Sequence, residues 1–300
     1  MNDYLMLILA DLFLAANFAI SRIYQAKAGT SLHAGFLFSL LTGGCTALIF
    51  WIYNGFRFEI SLFSVAMAVL LALLGTSYTL LGFRIMKRQG ISLYTLFLMT
   101  GGMTVPYLFG LFFLNEDFSI LRTVGLLIII ASVFFSVSGK DKPDRTSILL
   151  CVIVFFLNGG VSVVSKLHSI QTTLAVEPQE FVVLSSLVST AVNLILLFTL
   201  KDSPEKRAER KQIRLSPLVL LLLPLGSAVV GGISSVLQLK GAQTIDASLL
   251  YPFITGGSIV FSSLVGILLF REKPTRRMCI SIALAFIGTL FFLNLKELLL

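Results

Sequence analysis

The sequence is poor in charge for its length. Of its 300 residues, 13% are charged, whereas a soluble domain carries about 25% because its surface must face water. Most of this surface is therefore expected to face an apolar medium. The three cysteines, Cys45, Cys151 and Cys279, lack the spacing of a disulfide or metal site. We expect buried thiols that pack as small hydrophobic side chains.

Motifs of enzymes and of ATP-driven pumps are also missing. The chain has no HExxH zinc motif and no GxxxxGK[ST] phosphate-binding loop. Its two histidines, His33 and His168, fall near opposite membrane faces in the predicted topology, and Asp11 is the one acid in the interior of an apolar stretch. An intramembrane protease site needs a serine–histidine pair, two aspartates or a zinc motif. We therefore predict no catalytic centre, no metal and no cofactor.

Long apolar stretches dominate what is present. A helix needs about 20 mainly apolar residues to cross the hydrocarbon core of a bilayer. Runs such as Leu126–Ile130 do not alternate, which excludes the pattern of a membrane β-barrel. The sequence predicts an all-α integral membrane protein with ten transmembrane helices, at 5–24, 33–53, 61–83, 92–113, 120–138, 147–167, 180–200, 216–239, 247–270 and 277–295.

The basic residues indicate the orientation. All of the 23 Lys and Arg residues except Arg57, Arg122, Lys166, Lys240 and Lys296 lie in or beside loops that follow odd-numbered helices. Short cytoplasmic loops carry the Lys and Arg excess. We predict a protein of the plasma (bacterial cytoplasmic) membrane with both termini outside. The basic segment 201–214 is interpreted as a cytoplasmic loop that contacts anionic headgroups, not nucleic acid.

Two motifs recur in the two halves of the chain. Thr100–Gly102 matches Thr255–Gly257, and Glu116 matches Glu272 at the end of the same helix. Matches in the same order at offsets of about 144 to 156 residues indicate an internal duplication.

The duplication predicts two five-helix repeats, 1–140 and 141–300. Five is an odd number, so the second repeat enters the membrane upside down. Inverted repeats are the architecture of many secondary transporters, which bind their solute near the midplane between the halves.

Residues 92–137 and 247–294 resemble the EamA-type repeat of the drug/metabolite transporter superfamily. The matching features are a glycine-rich helix, Pro106 followed ten residues later by Glu116, and then Gly125 in a helix of small residues. Ala15-Ala16 stands where the family often has Trp-Gly, and the second repeat places its proline earlier, at Pro252. The resemblance implies a membrane transporter of small solutes.

Polar residues recur at helical spacing on several apolar helices. Serine and threonine in membrane helices often bond to the carbonyl one turn back, which is a packing role. Equivalent stripes in both halves instead favour a shared hydrated chamber. The predicted solute-binding residues are Asn17, Ser21, Tyr78, Thr100, Thr104, Tyr107, Asn158, Ser162, Ser234, Gln238, Tyr251, Thr255 and Ser258.

Proline and glycine beside these stripes predict a gate. Pro106 leaves the carbonyl of Gly102 without its helical donor, and Pro252 does the same to Ser248. The predicted hinge residues are Gly101, Gly102, Pro106, Pro252, Gly256 and Gly257. A static kink is the alternative.

Asp11 is the candidate for proton coupling, because an acid within a membrane span is a functional candidate by default. An interfacial position at the start of its helix is the alternative. Lys166 and Lys240 are interpreted as residues that extend towards the outer interface.

We predict a secondary transporter that works by alternating access on small organic metabolites such as amino acids, amines, sugars or nucleosides. Its partners are the solute and the lipid bilayer, with a monomer or a homodimer as the assembly. A flippase of a lipid or lipid-linked carrier is the alternative, and a membrane-embedded enzyme ranks below it.

Overall fold

The computed structural model describes residues 3–29, 31–89, 91–136, 145–199, 217–271 and 273–293. Within these ranges the regular secondary structure is α-helical, and turns and loops join the helices. The predicted loop 201–214 and Glu272 lie outside the described residues. The ten helices described are α1 (Asp3–Ala28), α2 (Leu32–Tyr53), α3 (Leu62–Gln89), α4 (Ile91–Phe113), α5 (Ile120–Ser136), α6 (Arg145–Ile170), α7 (Pro178–Thr199), α8 (Pro217–Thr244), α9 (Ala247–Leu269) and α10 (Arg276–Leu290).

Eight of the helices, α1 to α4 and α6 to α9, are long and apolar enough to cross a membrane. Helix α5 is apolar but shorter, and α10 has 15 described residues. Large apolar side chains lie open on the helices; Leu62, Phe198 and Leu268 are 87%, 82% and 77% exposed. Water would penalise that exposure by about 25 cal/mol per Å², whereas lipid does not. The predicted all-α membrane class is thus supported by eight candidate spans.

Short-range chemistry explains where several helices begin. The hydroxyl of Ser31 accepts a hydrogen bond from the amide of Ala34 at the start of α2, at 3.2 Å. Thr275 does the same for Met278 at the start of α10, also at 3.2 Å. These caps satisfy amides that have no partner within the helix. Helix α7 begins at Pro178, a position where the missing amide hydrogen costs nothing.

The chain divides into two compact units. The larger unit comprises residues 1–12, 73–172 and 237–300, and the smaller unit comprises residues 13–72 and 173–236. The boundaries fall inside α1, α3 and α8 as well as before α7. Each unit therefore takes segments from both halves of the sequence.

In the larger unit, helices pack closely through small residues. A Cβ on Gly101 of α4 would overlap the backbone carbonyl of Phe155 in α6. Helices α5 and α10 meet in the same way, since a Cβ on Gly125 would lie 2.8 Å from the carbonyl oxygen of Gly288. Small residues allow such close approach, which is how membrane helices gain dispersion energy where lipid is as apolar as the core.

In the smaller unit, α2 packs on α7 through Gly43, where a Cβ would lie 3.3 Å from the carbonyl oxygen of Ser186. Tyr24 stacks beside Phe38 with ring centroids 4.5 Å apart. The Ser64 hydroxyl accepts the amide of Val176 at 3.0 Å, which ties the start of α3 to the segment before α7.

The cysteines differ from the expectation of three buried thiols. Cys151 is buried, Cys45 is partly buried and Cys279 is exposed on α10. An apolar stretch shows that a residue lies in a helix, but not which face of that helix it occupies.

Gly101→Ala is expected to destabilise the protein, because the added Cβ forces α4 away from α6. Overpacking of this kind costs about 1–3 kcal/mol. Gly44→Ala on α2 is the matched control, since a Cβ there meets nothing within 4 Å and alanine favours a helix by up to about 1 kcal/mol. Thermal unfolding of the purified protein measures both. Equal midpoints for the two variants would contradict close packing at Gly101.

Candidate functional site

The first part of the candidate site is the contact between α4 and α6. Asn158 is half-buried, and its Nδ2 donates to the carbonyl oxygen of Leu98 at 2.7 Å. The amide of Asn158 lies against Gly102, where a Cβ would stand 2.5 Å from Nδ2. Glycine at 102 therefore makes the room that this amide needs.

Pro106 interrupts the hydrogen bonds of α4 beside that contact. A proline has no amide hydrogen, so the carbonyl of Gly102, four residues earlier, loses its helical donor. The hydroxyl of Ser162 replaces it, with Oγ 3.1 Å from the Gly102 oxygen. A carbonyl inside a membrane must be satisfied by protein or by trapped water, and here α6 supplies the donor.

Helix α9 joins the same place through Tyr251. Its hydroxyl donates to the carbonyl oxygen of Ser162 at 2.6 Å, and the residue is 9% exposed. The structure thus brings Asn158, Ser162 and Tyr251 together with Gly102 and Pro106. We call this set of five residues the α4–α6–α9 junction.

The remaining predicted residues of α4 have partners of their own. The Thr100 hydroxyl donates to the Leu96 carbonyl at 2.7 Å, one turn back in the same helix. Tyr107 is 2% exposed, and its hydroxyl pairs with that of Thr123 in α5 at 2.6 Å. Thr104 Oγ1 is buried and has no hydrogen-bond partner within the described part of the chain.

On α9, the Ser258 hydroxyl donates to the Thr255 carbonyl at 2.9 Å, which is again a bond within one helix. Tyr78 on α3 packs against the apolar cluster of Ile85, Cys151 and Val154. Gln238, near the end of α8, is half-buried. These residues belong to the larger unit.

Three of the predicted binding residues, Asn17, Ser21 and Ser234, lie in the smaller unit. The Oδ1 of Asn17 accepts a hydrogen bond from the hydroxyl of Ser227 in α8. A Cβ on Gly231 would lie 3.2 Å from the Asn17 amide nitrogen, so glycine again makes room for an amide. Ser21 is half-buried and Ser234 is 1% exposed.

The predicted hinge glycines lie in close helix contacts. A Cβ on Gly256 would overlap the hydroxyl of Thr289 in α10, and Gly101 meets the Phe155 carbonyl. Pro252 lies within α9, one residue after Tyr251.

Asp11 lies in the larger unit and is completely buried. Its carboxyl group packs against Gly257 of α9, where a Cβ would overlap Oδ2. Neither carboxyl oxygen has a hydrogen-bond partner within the described residues. An ionised carboxylate is costly in such surroundings, so this group is far more compatible with the protonated form than with an unpaired anion.

Sequence reasoning missed a set of charged residues around the turn between α8 and α9. Lys166 is 5% exposed, and its Nζ donates to the carbonyl oxygens of Ala242 at 2.9 Å and Ile245 at 2.6 Å. Cations favour the carbonyls at a helix C-terminus. The expectation that Lys166 extends towards the interface is wrong, whereas Lys240 is exposed as expected.

Two acids complete this turn. The carboxylate of Glu116 accepts the amides of Ala247 at 2.6 Å and Ser248 at 2.8 Å, which begin α9. Asp246, directly before α9, pairs with Arg122 of α5 at 2.8 Å. The partners of Glu116 and Lys166 are backbone atoms, which every sequence carries, so side-chain patterns alone could not identify them.

The spacing from Gly110 to Glu116 has a geometric cause. A Cβ on Gly110 would lie 2.6 Å from the carboxyl carbon of Glu116, so the acid occupies the space that a side chain would fill. Asn115 adopts a left-handed conformation with φ 54° and turns the chain back over Gly110. Gly110 and Glu116, whose spacing recurs in Gly266 and Glu272, are thus parts of one turn that places the Glu116 carboxylate on the start of α9.

Comparison with known proteins confirms the resemblance found in the sequence. The profile of the EamA-like transporter family matches residues 145–294, which is half of the chain. Twenty-nine chains of solved structures also match. One of them is a crystal structure with a TM-score of 0.72 and 17% sequence identity. The match covers 100% of this chain and 99% of that chain, and it shows a shared fold. No curated protein matches the sequence. The chain belongs to the EamA-like transporter family.

Proposed function

We propose that this protein carries small organic metabolites across the bacterial cytoplasmic membrane by alternating access, as a secondary transporter with no catalytic role. The observation that carries the proposal is the α4–α6–α9 junction. There, polar side chains of α6 and α9 meet beside α4, the helix that Pro106 interrupts. Weakly bonded backbone beside polar groups is the arrangement by which transporters combine a solute site with a moving element.

We further propose that the two halves are inverted repeats, and backbone conformation supports this. Glu116 and Glu272 are 156 residues apart, and the residues before them are Asn115 and Arg271. Both adopt the left-handed conformation, with φ of 54° and 53°. An arginine rarely takes this conformation, so its recurrence at the matching position favours a duplicated turn.

Packing of α5 on α10 supports the same proposal. The offset of 156 residues relates Gly125 to Ser281 and Ser132 to Gly288. Gly125 packs on Gly288, and the Ser132 hydroxyl donates to the Ser281 carbonyl at 2.7 Å. A two-fold relation between the repeats exchanges these two contacts, as an inverted duplication requires.

The α4–α6 and α9–α1 contacts also correspond. Ser21-Arg-Ile-Tyr24 at the end of α1 matches Ser165-Lys-Leu-His168 at the end of α6, and this offset of 144 residues relates Asp11 to Phe155. Gly101 packs against Phe155 and Gly257 packs against Asp11, so the equivalent glycine pair faces the equivalent helix each time. The repeats differ in that the second contact buries a carboxyl group.

We propose that Asp11 binds the proton that drives transport. Its side chain is buried and its carboxyl oxygens lack a hydrogen-bond partner in the described part of the chain. It also packs against Gly257, a position where a larger residue would overlap the carboxyl group. Acids inside membrane spans carry protons in pumps and transporters.

The proposed topology predicts opposite results from two fusions. A reporter after Leu300 should behave as external, and a reporter within 201–214 should behave as cytoplasmic, because the basic loops stay inside. Each reporter is alkaline phosphatase, which is active only outside the cytoplasm, so its activity in each fusion measures the location of that position. If both reporters lie on the same side of the membrane, the prediction of ten spans is wrong, and so is the proposed inverted repeat.

The proposed site predicts water access at the polar positions. In a chain with Cys45, Cys151 and Cys279 replaced by alanine, Asn158→Cys, Tyr251→Cys and Asn17→Cys should react with a water-soluble thiol reagent. The control is Ile128→Cys on apolar α5, which should stay unreactive. If the polar positions prove as inert as position 128, they are packing residues.

Proton coupling predicts that Asp11→Asn separates two activities. Accumulation driven by a pH gradient should be lost, whereas solute exchange between equal compartments should continue, because the amide cannot carry a proton. Flux assays in proteoliposomes measure both. Asp117→Asn, an exposed loop residue, is the control and should retain both. Equal loss of both activities in Asp11→Asn would indicate a role in folding or binding instead.

A further inference from the structure

Three of the four side-chain hydrogen-bond donors of the α4–α6–α9 junction are already in use. Nδ2 of Asn158 donates to Leu98, the hydroxyl of Ser162 donates to Gly102, and the hydroxyl of Tyr251 donates to Ser162. Each acceptor is a helix carbonyl. A solute that needed one of these donors would have to take it from a backbone oxygen in apolar surroundings, which costs about the desolvation penalty of that oxygen.

Besides the second N–H of the Asn158 amide, the junction retains oxygen lone pairs. An amide oxygen has two lone pairs, and a hydroxyl that donates can still accept. Asn158, Ser162 and Tyr251 therefore offer acceptors. Thr104 on α4, with a buried hydroxyl that has no partner in the described ranges, can act in either sense. The surplus of acceptors suits a solute that brings its own N–H or O–H donors.

No positive charge on the same helices is placed to offset this surplus. Lys166 lies one turn after Ser162, but its ammonium group is bound to Ala242 and Ile245 at the end of α8. Arg145 and His168 lie in the first and last turns of α6. Helices α4 and α9 carry no Lys, Arg or His. A carboxylate or phosphate would meet more lone pairs than donors.

We infer that the junction binds protonated amines and selects against anions. A primary ammonium group has three N–H donors, which match the three acceptor oxygens of Asn158, Ser162 and Tyr251. Hydrogen bonds to a charged group are also stronger than neutral ones. This inference rests on the proposed transport function, since it names the solute class that the same site takes.

Four probes that share one phenyl ring test the inference on the purified full-length protein in lipid nanodiscs. Benzylamine has positive charge and three donors, benzyltrimethylammonium has charge without donors, benzyl alcohol has one donor without charge, and benzoate is an anion. Benzylamine should bind at least about tenfold more tightly than each of the others, since one charge-assisted hydrogen bond contributes about that factor. Calorimetric titration measures all four. Benzoate binding as tightly as benzylamine, or no binding of benzylamine, overturns the inference.

Two variants locate the binding. Ser162→Ala and Tyr251→Phe should each weaken benzylamine binding by about ten- to a hundred-and-fifty-fold, the range for a lost hydrogen bond to a charged group. Ser162→Thr keeps the hydroxyl and should restore binding. The matched controls are Ser235→Ala on α8 and Tyr53→Phe on α2, both exposed residues, which should leave binding unchanged.

The outcomes also separate a structural role from a binding role. If Ser162→Ala lowers the unfolding temperature but binds benzylamine as before, Ser162 only supports α4 and the inference fails. Uptake of the probes into proteoliposomes then distinguishes a wrong solute class from a wrong proposal of transport. Flux of benzoate or benzyl alcohol without flux of benzylamine overturns the solute class alone, whereas no flux of any probe, together with inert cysteines at the junction, contradicts the proposed transport function.

Discussion

The hydrogen bond from Ser162 to the Gly102 carbonyl shows the constraint on which the larger unit depends. Inside a bilayer no bulk water is present to satisfy a backbone carbonyl, so every interruption of a helix must be satisfied by a neighbour. Pro106 creates such an interruption. The need for a donor explains why a serine of α6 faces this turn of α4, and the need for close approach explains why Gly101 and Gly102 lie there. The Ser162 hydrogen bond is therefore a consequence of the interruption at Pro106, and the glycines allow the close packing that makes it possible.

The same requirement organises the turn between α8 and α9. Lys166 satisfies the last carbonyls of α8, and Glu116 satisfies the first amides of α9. A helix end carries partial charge as well as unpaired groups, so charged side chains fit there better than neutral ones. These residues come from α6 and from the loop after α4. The turn thus links parts of the chain that are more than 70 residues apart, and the Arg122–Asp246 pair adds a third such link.

Asp11 differs because its buried carboxyl group has no hydrogen-bond partner within the described residues. The polar residues of the α4–α6–α9 junction each have a partner in the described part of the chain, whereas both carboxyl oxygens of Asp11 lack one. A packed interior with one unpartnered acid against a glycine is expensive to maintain. In the proposed alignment of the repeats, the position equivalent to Asp11 holds Phe155, so that architecture does not require a carboxyl group there. This difference supports the proposed role of Asp11 in proton transfer.

The sequence by itself determined the helical membrane class, the helices at nearly their observed bounds and the transporter family, because length, apolar composition and recurring motifs are local properties of the chain. It also singled out Asn158 and Tyr251, because amides and phenols are rare inside apolar stretches, and Ser162, because it lies one helical turn after Asn158. Only the tertiary structure decided that these residues share one junction, that Tyr107 pairs with Thr123 and that Lys166 is buried on the end of α8. The physical reason is that most of their partners are backbone carbonyls or residues of another helix. Such partners leave no mark in the sequence, and only the packing of the helices brings them within hydrogen-bond distance.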